Sequence, residues 1–182
     1  MNSAFTAIRQ GGCKAEIRHV LAEATRDLHT AVDRRAALFD MRNPEGLSSF
    51  LSFMHAGLSA IETALDEFGM SSIFPEWPDR KRLHILEEEI AMGNQAGGRA
   101  VRFQSEAETW GALYVLEGSR LGGRMLARML PEPSISPFLA GNIDCRFWSV
   151  FLGKLSDADD RLNDRNGMML GAGKAFGAFL TP

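Results

Sequence analysis

The chain offers four histidines as candidate metal ligands: His19, His29, His55 and His84. No two of them stand four residues apart, the spacing of a helical zinc site, and there is no pair of the Glu-x-x-His motifs that bind two irons in helical bundles. A metal held by several side chains is therefore not expected. Haem stays in consideration, because its own ring fills the equatorial positions of the iron and the protein need add only one histidine.

His29 is the strongest candidate for such a ligand. At about 100° per residue, it lies at the edge of the apolar stripe of the first predicted helix, on a face with Thr25, Ala22 and Arg18. These small residues would leave room for a flat macrocycle, and Arg18 could reach a carboxylate. Spacing alone favours an ordinary, partly exposed histidine. None of the other three histidines has a small-residue face beside it.

A second candidate is the glycine-rich segment ALYVLEGSRLGGRML, residues 112–126. Gly118, Gly122 and Gly123 each cost roughly 1 kcal/mol relative to alanine inside a helix, so a close backbone or a flat ligand must compensate. Glu117 and Ser119 flank Gly118. Each could bond a freed backbone group or position water above a ligand, and the sequence leaves both alternatives open.

The elements that would position these residues are helices. Strand patterns are almost absent and helix-period patterns recur along the whole chain, which predicts an all-α fold. We expect helices over residues 15–35, from an N-cap at Asn43 to Gly69, from Leu83 to Gly93, from a capping box at Ser105 to before Pro131, and from Asp157 to Leu180. In the last helix, Gly167, Gly171, Gly173 and Gly177 allow tight packing or mobility.

Composition limits the function classes. The net charge of −3 over 182 residues gives no electrostatic case for nucleic acid, and no apolar run is long enough to cross a bilayer. The two cysteines form no CxxC pair and the N-terminus lacks the core of a signal peptide, which favours a cytoplasmic protein. We expect one domain over residues 1–182, with residues 1–14 as a flexible extension.

Two segments carry a family resemblance. EATRDLHT, residues 23–30, resembles the proximal-histidine helix of haem oxygenases, and YVLEGSRLGG, residues 114–123, resembles their glycine-kinked distal helix. The amino-acid sequence of the second segment is most similar to that of the bacterial branch associated with bacteriophytochromes. The resemblance covers about residues 15–180 and implies a single-domain multi-helix bundle, with haem between the first helix and a kinked distal helix.

The resemblance also implies a reaction. It is the oxidative opening of haem, both cofactor and substrate, to biliverdin with release of carbon monoxide and ferrous iron. Electrons would come from a ferredoxin or a reductase, and a bacteriophytochrome could accept the biliverdin. His29 would be the axial iron ligand, and Gly118 and Gly122 would let the distal backbone approach the ring. The remaining predicted haem contacts are Arg18, Thr25, Gly123 and Phe151.

The chain departs from the family pattern at two positions. Ser119 stands where the animal enzymes have an aspartate that organises distal water, so it can hold a water but supplies no charge. Ala22 replaces a basic residue, which leaves Arg18, and more weakly Arg146 and Lys154, to pair with the haem propionates. A non-enzymatic haem- or bilin-binding protein, and a helical interaction module whose glycines pack helix on helix, are the alternatives.

Overall fold

The computed structural model describes residues 16–90, 99–128, 130, 136–140 and 145–180. These residues form helices and no strand, which confirms the predicted all-α fold. In chain order the helices are α1 Ile17–Ala24, α2 Arg26–Ala36, α3 Pro44–Phe68, α4 Met70–Ile73, α5 Trp77–Arg80, α6 Leu83–Glu89, α7 Glu106–Ala127, α8 Pro137–Ala140, α9 Cys145–Leu162 and α10 Arg165–Leu180.

The first predicted helix is in fact two helices, α1 and α2, which meet at Thr25. The backbone of Thr25 leaves the helical region, with φ −110° and ψ 7°, and its hydroxyl donates to the Leu21 carbonyl at 2.7 Å. A threonine hydroxyl that bonds the preceding turn competes with the regular backbone ladder, which accounts for the break. As a result, His29 lies in the first turn of α2, where its N–H donates to the Thr25 carbonyl at 2.9 Å.

The predicted ends of α3 are confirmed. The Asn43 side chain accepts from the Gly46 N–H at 2.7 Å, Pro44 opens the helix, and Gly69 closes it in the left-handed region with φ 83°. The regular apolar seam of this helix supplies a large share of the core; Leu51, Leu58, Ile61 and Leu65 are buried.

The helix α6 is shorter than predicted: it ends at Glu89, and the predicted end at Gly93 lies outside the described residues. The capping box that opens α7 is present in a modified form. Ser105 Oγ accepts from the Glu108 N–H at 3.3 Å, while the Glu108 carboxylate accepts from the Gln104 N–H at 3.0 Å, one residue before the N-cap. From there α7 runs unbroken to Ala127, and no residue in it has a positive φ.

The predicted start of the last helix at Asp157 is wrong, because that residue lies inside α9. The break comes at Asn163, which adopts φ 48°, and Asp164 then opens α10 by accepting the Gly167 N–H at 2.8 Å. Asparagine tolerates the left-handed region and aspartate is a strong N-cap. Asn163 and Asp164 therefore separate the two helices, whereas the acidic run over residues 157–160, from which the helix start was predicted, does not.

The helix α10 lies at the centre of the molecule and packs on α7, α3, α2 and α1. Its closest contact is with the N-terminal half of α7. A Cβ at Gly111 would lie 1.9 Å from the Met168 carbonyl oxygen, and a Cβ at Gly171 would lie 1.9 Å from that of Glu108. The tight packing predicted for Gly171 is therefore confirmed. No described helix has both the length and the apolarity required to span a membrane.

Candidate functional site

His29 is exposed on α2 and has a carboxylate partner. Its Nδ1 lies 2.9 Å from Asp33 Oδ2, one turn later, and 62% of its side chain is accessible. The ring also meets the edge of Phe176 on α10, with the ring centroids 5.7 Å apart. A neutral His29 that donates from Nδ1 to Asp33 presents an unprotonated Nε2. A carboxylate that accepts from one ring nitrogen of a histidine in this way orients the other nitrogen toward a metal.

The C-terminal half of α7 presents an uncovered apolar surface, formed by Gly118, Leu121, Gly122 and Met125 and called here the open face. A Cβ at Gly118 or Gly122 would meet no atom of the described residues within 4 Å. The side chains of Leu121 and Met125, which follow at helical spacing, are 37% and 68% accessible. A large flat ligand can therefore lie against this part of the helix without displacing protein atoms.

Three of the predicted haem contacts have other neighbours. Gly123 faces α8, where an added Cβ would lie 3.6 Å from Leu139 Cδ2. Phe151 is fully buried and packs between Trp110 and Trp148, so the structure places it in the core and not on the open face. Thr25 is also buried, with its hydroxyl already bonded to the backbone of α1. Residue type and the family resemblance singled out these three residues, and neither shows which helix faces the tertiary packing covers.

Arg18 lies within electrostatic reach of α7. Burial raises the pKa of the Tyr114 phenol, and the charge of Arg18 acts in the opposite direction. Of the two weaker propionate candidates, Lys154 is already paired with Glu76 at 2.9 Å and lies over the Phe74 ring. The side chain of Arg146 is outside the described part of the structure. Between Arg18 and Lys154, Arg18 is therefore the better candidate to pair with a haem propionate.

Ser119 bonds the backbone of its own helix and an arginine from the segment before α6. Its hydroxyl donates to the Leu116 carbonyl at 2.7 Å, and Arg82 Nη2 lies 2.5 Å from its Oγ. The same Arg82 nitrogen donates to the Leu116 carbonyl at 3.2 Å. Of the two alternatives left open by the sequence, the structure gives Ser119 the backbone bond.

Glu117 also has a structural partner. Its carboxylate pairs with Arg80 at 3.0 Å and with Arg120 at 3.3 Å, and its side chain is 2% exposed. The Arg80 guanidinium lies over the rings of Phe74 and Phe147, at 5.2 Å and 4.9 Å. No local pattern around Glu117 indicates these pairs, because Arg80 stands 37 residues earlier in the chain, at the end of α5.

The arginines Arg80, Arg82 and Arg120 and the glutamates Glu62 and Glu117 form what we call the buried ion cluster, beneath α7. Glu62 accepts from the backbone N–H groups of Arg82 and Leu83, at 2.9 Å and 3.3 Å, and burial raises its pKa. Burial, reinforced by the charge of Arg120, lowers the pKa of Arg82 to about 9, so the guanidinium stays charged at neutral pH. Within this cluster, three cations thus face two carboxylates.

The other histidines have different surroundings. His19 and His84 are exposed, whereas His55 is buried on α3 near Glu87. Within the described ranges, no three His, Cys, Asp or Glu side chains come close enough together to hold a metal ion. Two cavities, of about 240 Å³ beside Trp110 and about 290 Å³ beside Lys174, are lined by neither His29 nor the open face. In the described part of the chain the candidate site is an exposed surface, since the side chains of His29, Leu121 and Met125 are accessible.

Comparisons with known proteins followed two routes, sequence and structure. No family model matches the chain. A haem oxygenase of Xanthomonas campestris pv. campestris (strain 8004) is 40% identical over 78 residues, which cover 42% of this chain and 47% of that protein. The chain thus matches about half the length of this relative.

The structural comparison covers more of the chain. The NO- and CO-bound haem oxygenase from Neisseria meningitidis matches it with a TM-score of 0.70 and 16% sequence identity, over 92% of this chain and 89% of that one. The chain therefore has the all-helical haem oxygenase fold, and the family resemblance seen in the sequence is supported. The narrower resemblance to the branch associated with bacteriophytochromes stays a prediction.

Proposed function

We propose that this chain is a haem oxygenase, which opens haem to biliverdin and releases carbon monoxide and ferrous iron. The observation that carries the proposal is the pairing of His29 with Asp33 on α2, combined with the open face of α7, on two helices that both pack on α10. Haem, when bound, supplies the iron at which O₂ reacts and the ring that is cleaved, with electrons from a ferredoxin or a reductase.

The side chains of this chain have distinct parts in that proposal. Asp33 orients His29 so that Nε2 is the ligand atom, and the missing Cβ atoms of Gly118 and Gly122 admit the ring. Leu121 and Met125 give the ring apolar contact and exclude water from its face. Arg18 pairs with a propionate at the edge of the ring. A bacteriophytochrome is the proposed acceptor of the product.

A non-enzymatic haem- or bilin-binding protein is the second candidate, and Ser119 is the observation that favours it. The hydroxyl proton of Ser119 is committed to the Leu116 carbonyl, so it is not free for a ligand. Delivery of protons to reduced oxygen then needs water or another donor. The two functions share the binding site and differ only in turnover.

The test starts with haemin added to the apoprotein, followed by reductant and O₂, with the visible spectrum recorded throughout. We expect a histidine-ligated Soret band and then biliverdin absorbance. His29→Ala should remove the native axial bond and most of the turnover, while His84→Ala, at an exposed histidine on α6, is the matched control and should leave both unchanged. A normal Soret band and rate in His29→Ala would refute the ligand assignment. Haemin binding without bilin formation would favour the second candidate.

A further inference from the structure

We propose that Arg82 is a positioning residue that holds the Ser119 hydroxyl with a single acceptor lone pair available to a ligand on the open face of α7. This inference rests on the proposed haem site. A serine hydroxyl has one proton and two lone pairs. The proton is used by the Leu116 carbonyl and one lone pair by Arg82, so one lone pair remains.

Arg82 is fixed from several sides. Its backbone N–H donates to Glu62 at 2.9 Å, its guanidinium donates to both Ser119 and the Leu116 carbonyl, and its Cζ lies 5.2 Å from the centroid of the Phe138 ring. Only 6% of the residue is exposed. A buried guanidinium that moved away from Ser119 and the Leu116 carbonyl would give up both hydrogen bonds without gaining water in exchange, which is costly. The serine rotamer is therefore set by a rigid neighbour.

Ser119 stands beside the open face. It follows Gly118 by one residue and precedes Gly122 by three, which places it about 100° and about 60° around the helix from them. Its side chain is only partly buried, unlike that of Arg82 behind it. A small ligand held on the open face would therefore have the Ser119 hydroxyl beside it and the Arg82 guanidinium behind that hydroxyl.

The proposal predicts opposite electrostatic effects of the two side chains. The free lone pair of Ser119 presents negative charge to the ligand, whereas Arg82 presents positive charge from below. Carbon monoxide on ferrous haem reports this field, since positive potential near its oxygen lowers the C–O stretching frequency. Ser119→Ala should lower that frequency, and Arg82→Met should raise it.

The first experiment uses the apoprotein and needs no haem. Urea unfolding is compared for the wild type, Ser119→Ala, Arg82→Met and the double variant. We expect the midpoint shift caused by Ser119→Ala to be smaller in the Arg82→Met background, because the bond between the two side chains is then already lost while the bond of Ser119 to the Leu116 carbonyl remains. Shifts that simply add would overturn the proposal. Arg82→Lys is the second variant if Arg82→Met does not fold, and should keep part of the coupling.

The second experiment records the C–O stretch of the ferrous carbonyl complexes. Ser49→Ala is the matched control, because Ser49 also bonds its own helix backbone, donating to the Glu45 carbonyl at 2.8 Å, and has no arginine partner. It should leave the frequency unchanged. Shifts of opposite sign in Ser119→Ala and Arg82→Met, with partial recovery in Arg82→Lys, support the proposal. Unchanged frequencies in both variants would reduce the pair to a structural contact and overturn it.

The failure of the proposed function has a different signature. If the wild-type apoprotein does not bind haemin, the haem oxygenase assignment fails. The unfolding cycle then still decides whether Arg82 holds Ser119.

Discussion

The two halves of α7 use glycine for opposite reasons. In the N-terminal half, Gly111 stands where α10 crosses so closely that a Cβ would overlap the Met168 backbone at 1.9 Å. In the C-terminal half, a Cβ at Gly118 or Gly122 would have no neighbour within 4 Å among the residues that the structure describes. One residue type in one helix therefore marks a contact between two backbones at one end and an uncovered surface at the other.

This difference distinguishes two explanations for the glycines of α7, helix packing and ligand binding, which the sequence alone could not tell apart. Helix-on-helix packing explains Gly111 and its counterpart Gly171, where a side chain has no room. It does not explain Gly118 and Gly122, which no neighbouring helix approaches closely and whose backbone has no positive φ. What Gly118 and Gly122 leave is open space beside the helix. A ligand is the explanation that we propose for it.

The largest change in stability is expected in the N-terminal half of α7, which α10 covers and which we call the closed end. Gly111→Ala should lower the free energy of unfolding by about 3 kcal/mol, because the new methyl group overlaps backbone atoms that cannot rotate away. Urea unfolding of the apoprotein measures it. Gly153→Ala is the control: this glycine lies in α9 with nothing within 4 Å of an added Cβ, so the change should not destabilise. Equal stability of Gly111→Ala and the wild type would mean that α7 and α10 are further apart than described.

The closed end also shows how far local sequence could predict the fold. The predictions of an all-helical chain and of both ends of α3 were correct. Asn43 and Gly69 act through hydrogen bonds and backbone angles within a few residues of themselves, so local sequence is enough to identify them. The Thr25 break was missed, since a threonine hydroxyl can bond the preceding turn or not, depending on packing. The Asn163 break was present in the sequence, but the acidic run beginning at Asp157 suggested an earlier helix start.

The site was less predictable than the fold. His29, Gly118 and Gly122 could be chosen because their type and helix face were visible in the sequence. Asp33 could also have been found, because it stands one helical turn after His29. The pairing of Arg82 with Ser119 joins residues 37 positions apart, so no periodicity could reveal it. Phe151 was predicted as a haem contact from the resemblance, which carries no information about its packing between Trp110 and Trp148.

A smaller effect, opposite in sign, is expected at the open end. Gly118→Ala and Gly122→Ala should each stabilise the apoprotein by up to about 1 kcal/mol, since alanine favours the helix and the methyl group meets nothing. Haemin affinity should fall at the same time, by roughly tenfold or about 1.4 kcal/mol, because the methyl group occupies the space of the ring. Melting of the apoprotein and a Soret titration measure the two quantities.

The two glycine variants must be read separately. If either one melts lower than the wild type as an apoprotein and still binds haemin normally, packing explains that glycine and the comparison between the two halves of α7 fails at that position. A loss of affinity with unchanged or higher stability would sharpen the comparison instead. It would place the ring against that turn of the helix.

The smallest effect is expected at Arg18, which locates the edge of the ligand relative to the open face. Arg18 is only partly buried, so its pairing with a propionate is worth at most about 1 kcal/mol, and Arg18→Ala should weaken haemin binding roughly fivefold. The dimethyl ester of haemin has no free carboxylates and should bind the wild type and Arg18→Ala equally. Lys154→Ala is the matched control and should not change affinity, since that cation is already paired with Glu76. Because the charge of Arg18 reaches Tyr114, one turn before Gly118, a loss confined to free haemin would place the propionates at the boundary between the closed and open halves of α7. Equal losses with haemin and its ester would instead assign Arg18 a packing role and move the propionates elsewhere.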